Sequence, residues 1–268
     1  LLVETEQGLV LVDTGFGLRD VADPSSRLST FFLAMLSPDF REEMTAVRQI
    51  ERLGFEAADV RHIVLTHLDF DHAGGLDDFP NATIHMLRQE RDYALAQKTW
   101  LDRQRFRPQQ WSSRRRWKVH GAGGGERWYG FECVRDIAGL PPEILFVPLP
   151  GHTFGHAGIA IRTPECWLLQ AGDAYFYRHE MDRNDPWCTP GLRFYQTLME
   201  KDREARLDNQ ERLRRLRHTH GGEIELFCAH DPLEYERLAG RSQHAPAALE
   251  QARGMPAKAR FRPQHRGA

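Results

Sequence analysis

The chain is 268 residues long, enough for one layered α/β domain, and its 41% hydrophobic and 28% charged residues exclude a disordered chain as the general reading. Its 36 basic residues nearly cancel 38 acidic ones, leaving a net charge of −2, so overall charge predicts neither nucleic-acid nor membrane binding. Cys133, Cys166, Cys188 and Cys228 are scattered without a Cys-x-x-Cys pair, which argues against a disulfide framework or a thiolate zinc finger, and no apolar run approaches the ~18 residues of a membrane helix.

The chain begins Leu1-Leu2-Val3 without a methionine and without a charged segment leading into an apolar one. A cytoplasmic protein is the expectation, with room for a missing N-terminal piece.

Leu2 to Thr5 and Leu9 to Val12 read as two strands about a Gln7-Gly8 turn, feeding the polar loop Asp13-Thr14-Gly15. Met44, Val47, Ile50 and Leu53 recur at three-residue steps before Gly54, predicting an amphipathic helix over 42–53. Val60 to Leu65 is a buried strand ahead of the polar cluster 67–72, Ala82 to Met86 a second strand, and Gln89 to Lys98 a helix. From Trp100 to Trp128, tryptophans, arginines and the Gly123-Gly124-Gly125 run break the pattern, which predicts an insertion or lid. Strands resume at 144–147, 158–161 and 166–169, a solvated helix with Leu207, Leu213 and Leu216 follows near 198–217, and Ile224 to Cys228 forms a last strand. The expected domain is 1–240, with the Arg- and Pro-rich residues 241–268 as a mobile tail.

His67-Leu68-Asp69-Phe70-Asp71-His72 places four potential ligands within six residues, on a loop that can splay alternate side chains to one face. Imidazoles suit zinc or iron and carboxylates suit harder ions, so the mixed set points to one or two hydrolytic metals. His152, in Pro150-Gly151-His152-Thr153-Phe154-Gly155-His156, is a further candidate, while His156 reads as a loop hydrogen-bonder. Asp173 and His230 each follow an apolar strand. Ligands at strand ends, on loops held by a rigid scaffold, can be aimed at one point.

This ordered set resembles the metallo-β-lactamase superfamily, from Asp13-Thr14-Gly15 through the His-x-x-x-Asp-His core, the Gly-His-Thr-x-Gly-His loop, the Gly172-Asp173 strand end and the late His230. The resemblance implies a four-layer αβ/βα sandwich of the α/β class, with His67 and His152 on a first metal, Asp71, His72 and His230 on a second, and Asp173 bridging. Asp13 would support the site without ligating. Asp69 stands where the superfamily's common pattern has a second histidine; flavodiiron oxygen reductases carry glutamate there and bind iron. Asp69 is therefore a candidate ligand too, ligating directly, ligating through water, or leaving the first site weak.

The family reading implies about two Zn2+ per chain, with iron or manganese as alternatives, and hydrolysis by metal-held hydroxide. Asp71 would orient the nucleophile, Asp173 carry a proton, and Tyr175, by similarity to lactonases, touch the substrate carbonyl. A small-molecule ester or lactone substrate fits best, as in N-acyl homoserine lactonases. The alternatives are a glyoxalase II-type thioesterase, an iron-containing redox protein, and a phosphodiesterase binding nucleic acid through Arg103, Arg105, Arg107, Trp111, Arg114, Arg115, Arg116, Trp117 and Lys118. Nothing in the sequence speaks to oligomeric state.

Overall fold

Along individual strands the apolar side chains divide into two alternating sets, and this division builds the layers. The computed structural model describes residues 1–121, 125–132, 137 and 139–240. The expected tail 241–268, Cys133 and the glycines at 123 and 124 lie outside the described residues.

The strands are β1 (Leu2–Thr5), β2 (Gly8–Val12), β3 (Val60–Val64), β4 (Thr83–Leu87), β5 (Trp117–His120), β6 (Arg127–Trp128), β7 (Phe131–Glu132), β8 (Ile144–Pro148), β9 (Ala157–Arg162), β10 (Trp167–Gln170) and β11 (Ile224–Phe227). The helices are α1 (Leu18–Ala22), α2 (Pro24–Arg27), α3 (Thr30–Leu36), α4 (Ala46–Arg52), α5 (Arg88–Ala96), α6 (Trp100–Arg105), α7 (Pro190–Met199), α8 (Arg203–His220) and α9 (Pro232–Ala239).

A five-stranded sheet runs β1-β2-β3-β4-β5, parallel except for the β1–β2 hairpin. A four-stranded sheet runs β11-β10-β9-β8, in which only β10 and β11 are parallel. Val10, Val12 and Val64 of the first sheet meet Phe146, Ile159 and Ile161 of the second in a shared apolar layer. Leu9, Leu11 and Ile63 face the other way, onto Val47 and Ile50 of α4 and Ala94 of α5. Leu145, Ala160 and Leu169 face outward onto Leu213 and Leu216 of α8. Helices, sheet, sheet and helix therefore stack as four layers, the expected sandwich.

Two helical expectations are refined. Thr45 is extended (φ −64°, ψ 149°) and splits 42–53 into a single 3-10 turn and α4, so Val47 and Ile50 are buried while Met44 and Leu53 are exposed. The long helix near 198–217 is two helices broken at 200–202, where Asp202 accepts the Ala205 N–H as an N-cap. In α8, Leu207 faces solvent.

The described residues of 100–128 are packed into the domain. They contribute α6, the edge strand β5 and Trp111, which is buried in the core of the first sheet. Part of the arginine content is spent inside: Arg107 donates to the Arg27 carbonyl at 2.9 Å and Arg116 to the Phe79 carbonyl at 2.8 Å. Because Trp111 is 2% exposed within that core, Trp111→Ala is expected to lower unfolding stability by about 3–5 kcal/mol in denaturant titration. A separable lid would show a change near zero.

Candidate metal centre

The site sits where the ends of β2, β3, β8, β10 and β11 release their loops. Glu90, on α5, fixes two of these loops together: it accepts the Leu68 N–H at 2.9 Å and the Thr153 hydroxyl at 2.5 Å. A Cβ at Gly155 would lie 2.0 Å from the Glu90 backbone nitrogen, so only glycine permits this approach. Behind His230, Asp231 caps α9 by accepting the Leu233 and Glu234 N–H groups and pairs with Arg178 at 3.1 Å. The Asp231-Pro232 pair is a sequence signature for such a helix start.

Asp13 orients the histidines. It adopts φ +52°, tolerable for aspartate, and its Oδ1 accepts the Thr66 N–H at 2.8 Å. Its Oδ2 accepts the Thr66 hydroxyl at 2.8 Å and faces His72 Nδ1 at 2.9 Å. A carboxylate can only accept, so His72 Nδ1 carries the proton and Nε2 presents a lone pair. The Thr66 hydroxyl has spent its one proton on Asp13, so it accepts from His67 Nδ1 at 2.9 Å, which turns the His67 Nε2 lone pair inward as well. Both Nε2 atoms, with Asp173 Oδ1, are buried without a hydrogen-bond partner. Three buried, unpartnered acceptors aimed at common points fit the donor set a cation site needs.

Two groups of ligand atoms converge: His67, His152 and Asp173, and Asp71, His72 and His230. Asp173 joins them, with Oδ1 3.2 Å from both His72 and His230 Nε2 and Oδ2 3.3 Å from His152 Nε2. The groups differ in access. His67, His152 and Asp173 have side chains only 0%, 2% and 4% exposed, against 35% for His230 and 20% for Asp71. His230 and Asp71 thus form the mouth, with His72, 4% exposed, behind them.

Charge separates them too. Burial alone would lower the His72 pKa, yet Asp173, Asp13 and Asp71 hold it well above its ordinary value. His230 is raised by Asp173 and Asp71, again against burial. This half of the site draws positive charge. In the other half, burial, reinforced by the nearby Arg105 charge and only partly opposed by Asp173 and Asp69, brings His152 down to about 4.

Asp69 is brought to the first group, 3.3 Å from His67 Nε2 and 2.9 Å from His152 Nε2, but both its oxygens are held by Arg105: Nε to Oδ1 at 2.7 Å and an Nη to Oδ2 at 2.5 Å. Burial would raise the Asp69 pKa; the Arg105 charge overrides it and holds the carboxyl well below the usual range. Arg105 appears in the sequence only as one arginine among many, with no spacing signal to single it out.

His156 is no ligand, since both ring nitrogens are engaged: Nδ1 donates to the Leu149 carbonyl and Nε2 accepts the Asp173 N–H, each at 2.9 Å. It fixes Asp173. Tyr175 is corrected: its ring is fully buried in the core of the second sheet, and its hydroxyl donates to Glu234 at 3.0 Å instead of reaching the mouth. Tyr195, on α7, was not singled out by sequence because no helix was expected over 190–199. It packs on Phe176, which in turn lies against His230, and its hydroxyl is within the field of Asp71, Asp69 and Asp173.

Imidazoles and carboxylates on the loops of a four-layer αβ/βα sandwich define a class of metal-centred proteins. The model of the metallo-beta-lactamase superfamily matches residues 1–216, and the chain belongs to that superfamily. It is 41% identical over 238 residues to the probable metallo-hydrolase Rv2300c of Mycobacterium tuberculosis, covering 88% of this chain and 75% of that one. It is 28% identical over 188 residues to the N-acyl homoserine lactonase AiiA of Bacillus thuringiensis subsp. kurstaki, covering 70% and 67%. Among solved structures, an N-acyl homoserine lactone hydrolase with the product N-hexanoyl-L-homoserine at its catalytic metal center superposes with a TM-score of 0.63 at 25% identity, covering 88% of this chain and 82% of that one.

Asp13→Ala would free the tautomers of His72 and His67, and zinc affinity measured by competition with a chromophoric chelator is expected to fall about 10–100-fold. An unchanged affinity would mean that the Asp13–Thr66 relay does not orient the ligands.

Proposed function

We propose that the chain is a zinc-dependent hydrolase that opens a small ester or lactone. The observation that carries this reading is the second ligand group: Asp71, His72 and His230 with the unpartnered Oδ1 of Asp173, set at an open mouth. The lactonase relatives support the substrate class.

Asp71, His72, His230 and Asp173 would hold the ion, which when bound supplies a water of near-neutral pKa and positive charge for the oxygen that turns negative. In this reading Asp71, at the mouth, orients the attacking water toward the carbonyl carbon. As the carbonyl-to-ring-oxygen bond breaks, Asp173 passes the water's proton to the departing alkoxide. Tyr195 takes the role first expected of Tyr175. Burial and the nearby carboxylates push its pKa far above the ordinary value, so the hydroxyl keeps its proton and can donate to the substrate carbonyl oxygen. Phe176 and Tyr195 would wall the acyl side of the substrate.

Lactone, ester and thioester panels assayed with and without a chelator test the reaction class. Activity that survives metal removal, or none on any panel, would sink the reading. Tyr195→Phe is expected to lower kcat about 10²-fold, in the range of losing one oxyanion donor. Tyr175→Phe is expected to leave kcat nearly unchanged while costing about 1 kcal/mol of stability. The reverse pattern would restore Tyr175 to the site.

A further inference from the structure

We propose that the Arg105 guanidinium stands in for the first of the two cations this ligand set would otherwise hold, so that the chain binds a single metal ion, at Asp71, His72, His230 and Asp173. The inference rests on the metal-hydrolase reading and specifies its stoichiometry.

Arg105 is not a surface side chain that happens to reach inward. It is 0% exposed, and three of its nitrogens are fixed: Nε and one Nη on the two Asp69 oxygens, the other Nη on the Met199 carbonyl at 2.6 Å. The nitrogen on Asp69 Oδ2 also lies 2.9 Å from His152 Nε2. A guanidinium has donors and no acceptor, so every atom it faces must offer a lone pair. It takes the lone pairs of Asp69 and fills the space beside His152 Nε2, where a first ion would sit. His67 Nε2 and Asp173 Oδ2 remain on that side, fewer than the three protein ligands a zinc site normally uses. The second group keeps its full set.

The charges agree. A carboxylate at position 69, where an imidazole is the common superfamily residue, adds one negative charge to the pocket, and Arg105 returns it to balance. Seating a second ion between Asp69 and His152 would strip the guanidinium of its carboxylate while leaving it sealed from water, the unfavourable half of a broken buried ion pair.

Full-length protein purified without chelators and dialysed against excess zinc should hold about one equivalent by elemental analysis, and zinc calorimetry of the stripped protein should saturate at the same value. The paired substitution Asp69→His with Arg105→Met, which removes both charges together, should raise this to about two. Two equivalents in the parent would overturn the stand-in while leaving the hydrolase reading intact. A folded double variant that still binds one would also overturn it, because Arg105 would not be what excludes the first ion. No bound metal in the parent would overturn the hydrolase reading itself. If the double variant does not fold, manganese(II) loading of the parent decides: an uncoupled single-ion EPR spectrum supports the proposal, and a spin-coupled pair overturns it.

Discussion

Carboxylates gathered in a water-excluded place need positive charge or N–H donors at hydrogen-bond distance, and this constraint organises the structure around residues 13, 69 and 173. Asp13 is met by Thr66 and His72, Asp69 by Arg105, and Asp173 by four histidines from three loops. The Arg105–Asp69 pair reaches furthest. Its arginine ends α6, whose Thr99 cap, Tyr93 and Lys201 all converge on Asp102. Lys201 in turn gives its N–H to the Gly151 carbonyl beside His152, at 2.8 Å. One ionic contact is thus tied to the helix that carries Tyr195 and to the loop that carries a ligand.

The sandwich makes such a site affordable. Both sheets present alternating apolar faces, so strand ends are rigid, and loops leaving them inherit fixed starting points. Backbone contacts between layers, such as the Ala157 N–H to the Thr66 carbonyl at 3.0 Å, join the ligand loops of one sheet to a strand of the other. His156 and Glu90 act at the same seam. Their role is placement: neither presents a free atom to the mouth.

How much of this was legible in the sequence follows from the range of the interactions. The strands preceding the ligand loops were readable because apolar runs and turn residues are local signals, and the cluster 67–72 announces itself by density. Asp13 was readable only through family likeness, whereas His156 was readable from its place in a glycine-framed loop. Arg105 and Tyr195 were not, since nothing within a few residues of either distinguishes it; their meaning comes from α6 and α7 folding over the strand ends. Tyr175 misled for the complementary reason: adjacency to Asp173 along the chain does not place the hydroxyl, and the backbone after β10 turns that ring into the core beneath Glu234.

The sealed half of the site holds a positive charge that is part of the polypeptide. An ion in solution has a dissociation constant and is lost on dilution or to a competing ligand, whereas a guanidinium on α6 is present at an effective concentration set by the fold alone. It also has one charge and no vacant coordination position. If the guanidinium replaces the first ion as proposed, half of this centre is indifferent to metal supply, and its electrostatics are set when the chain folds.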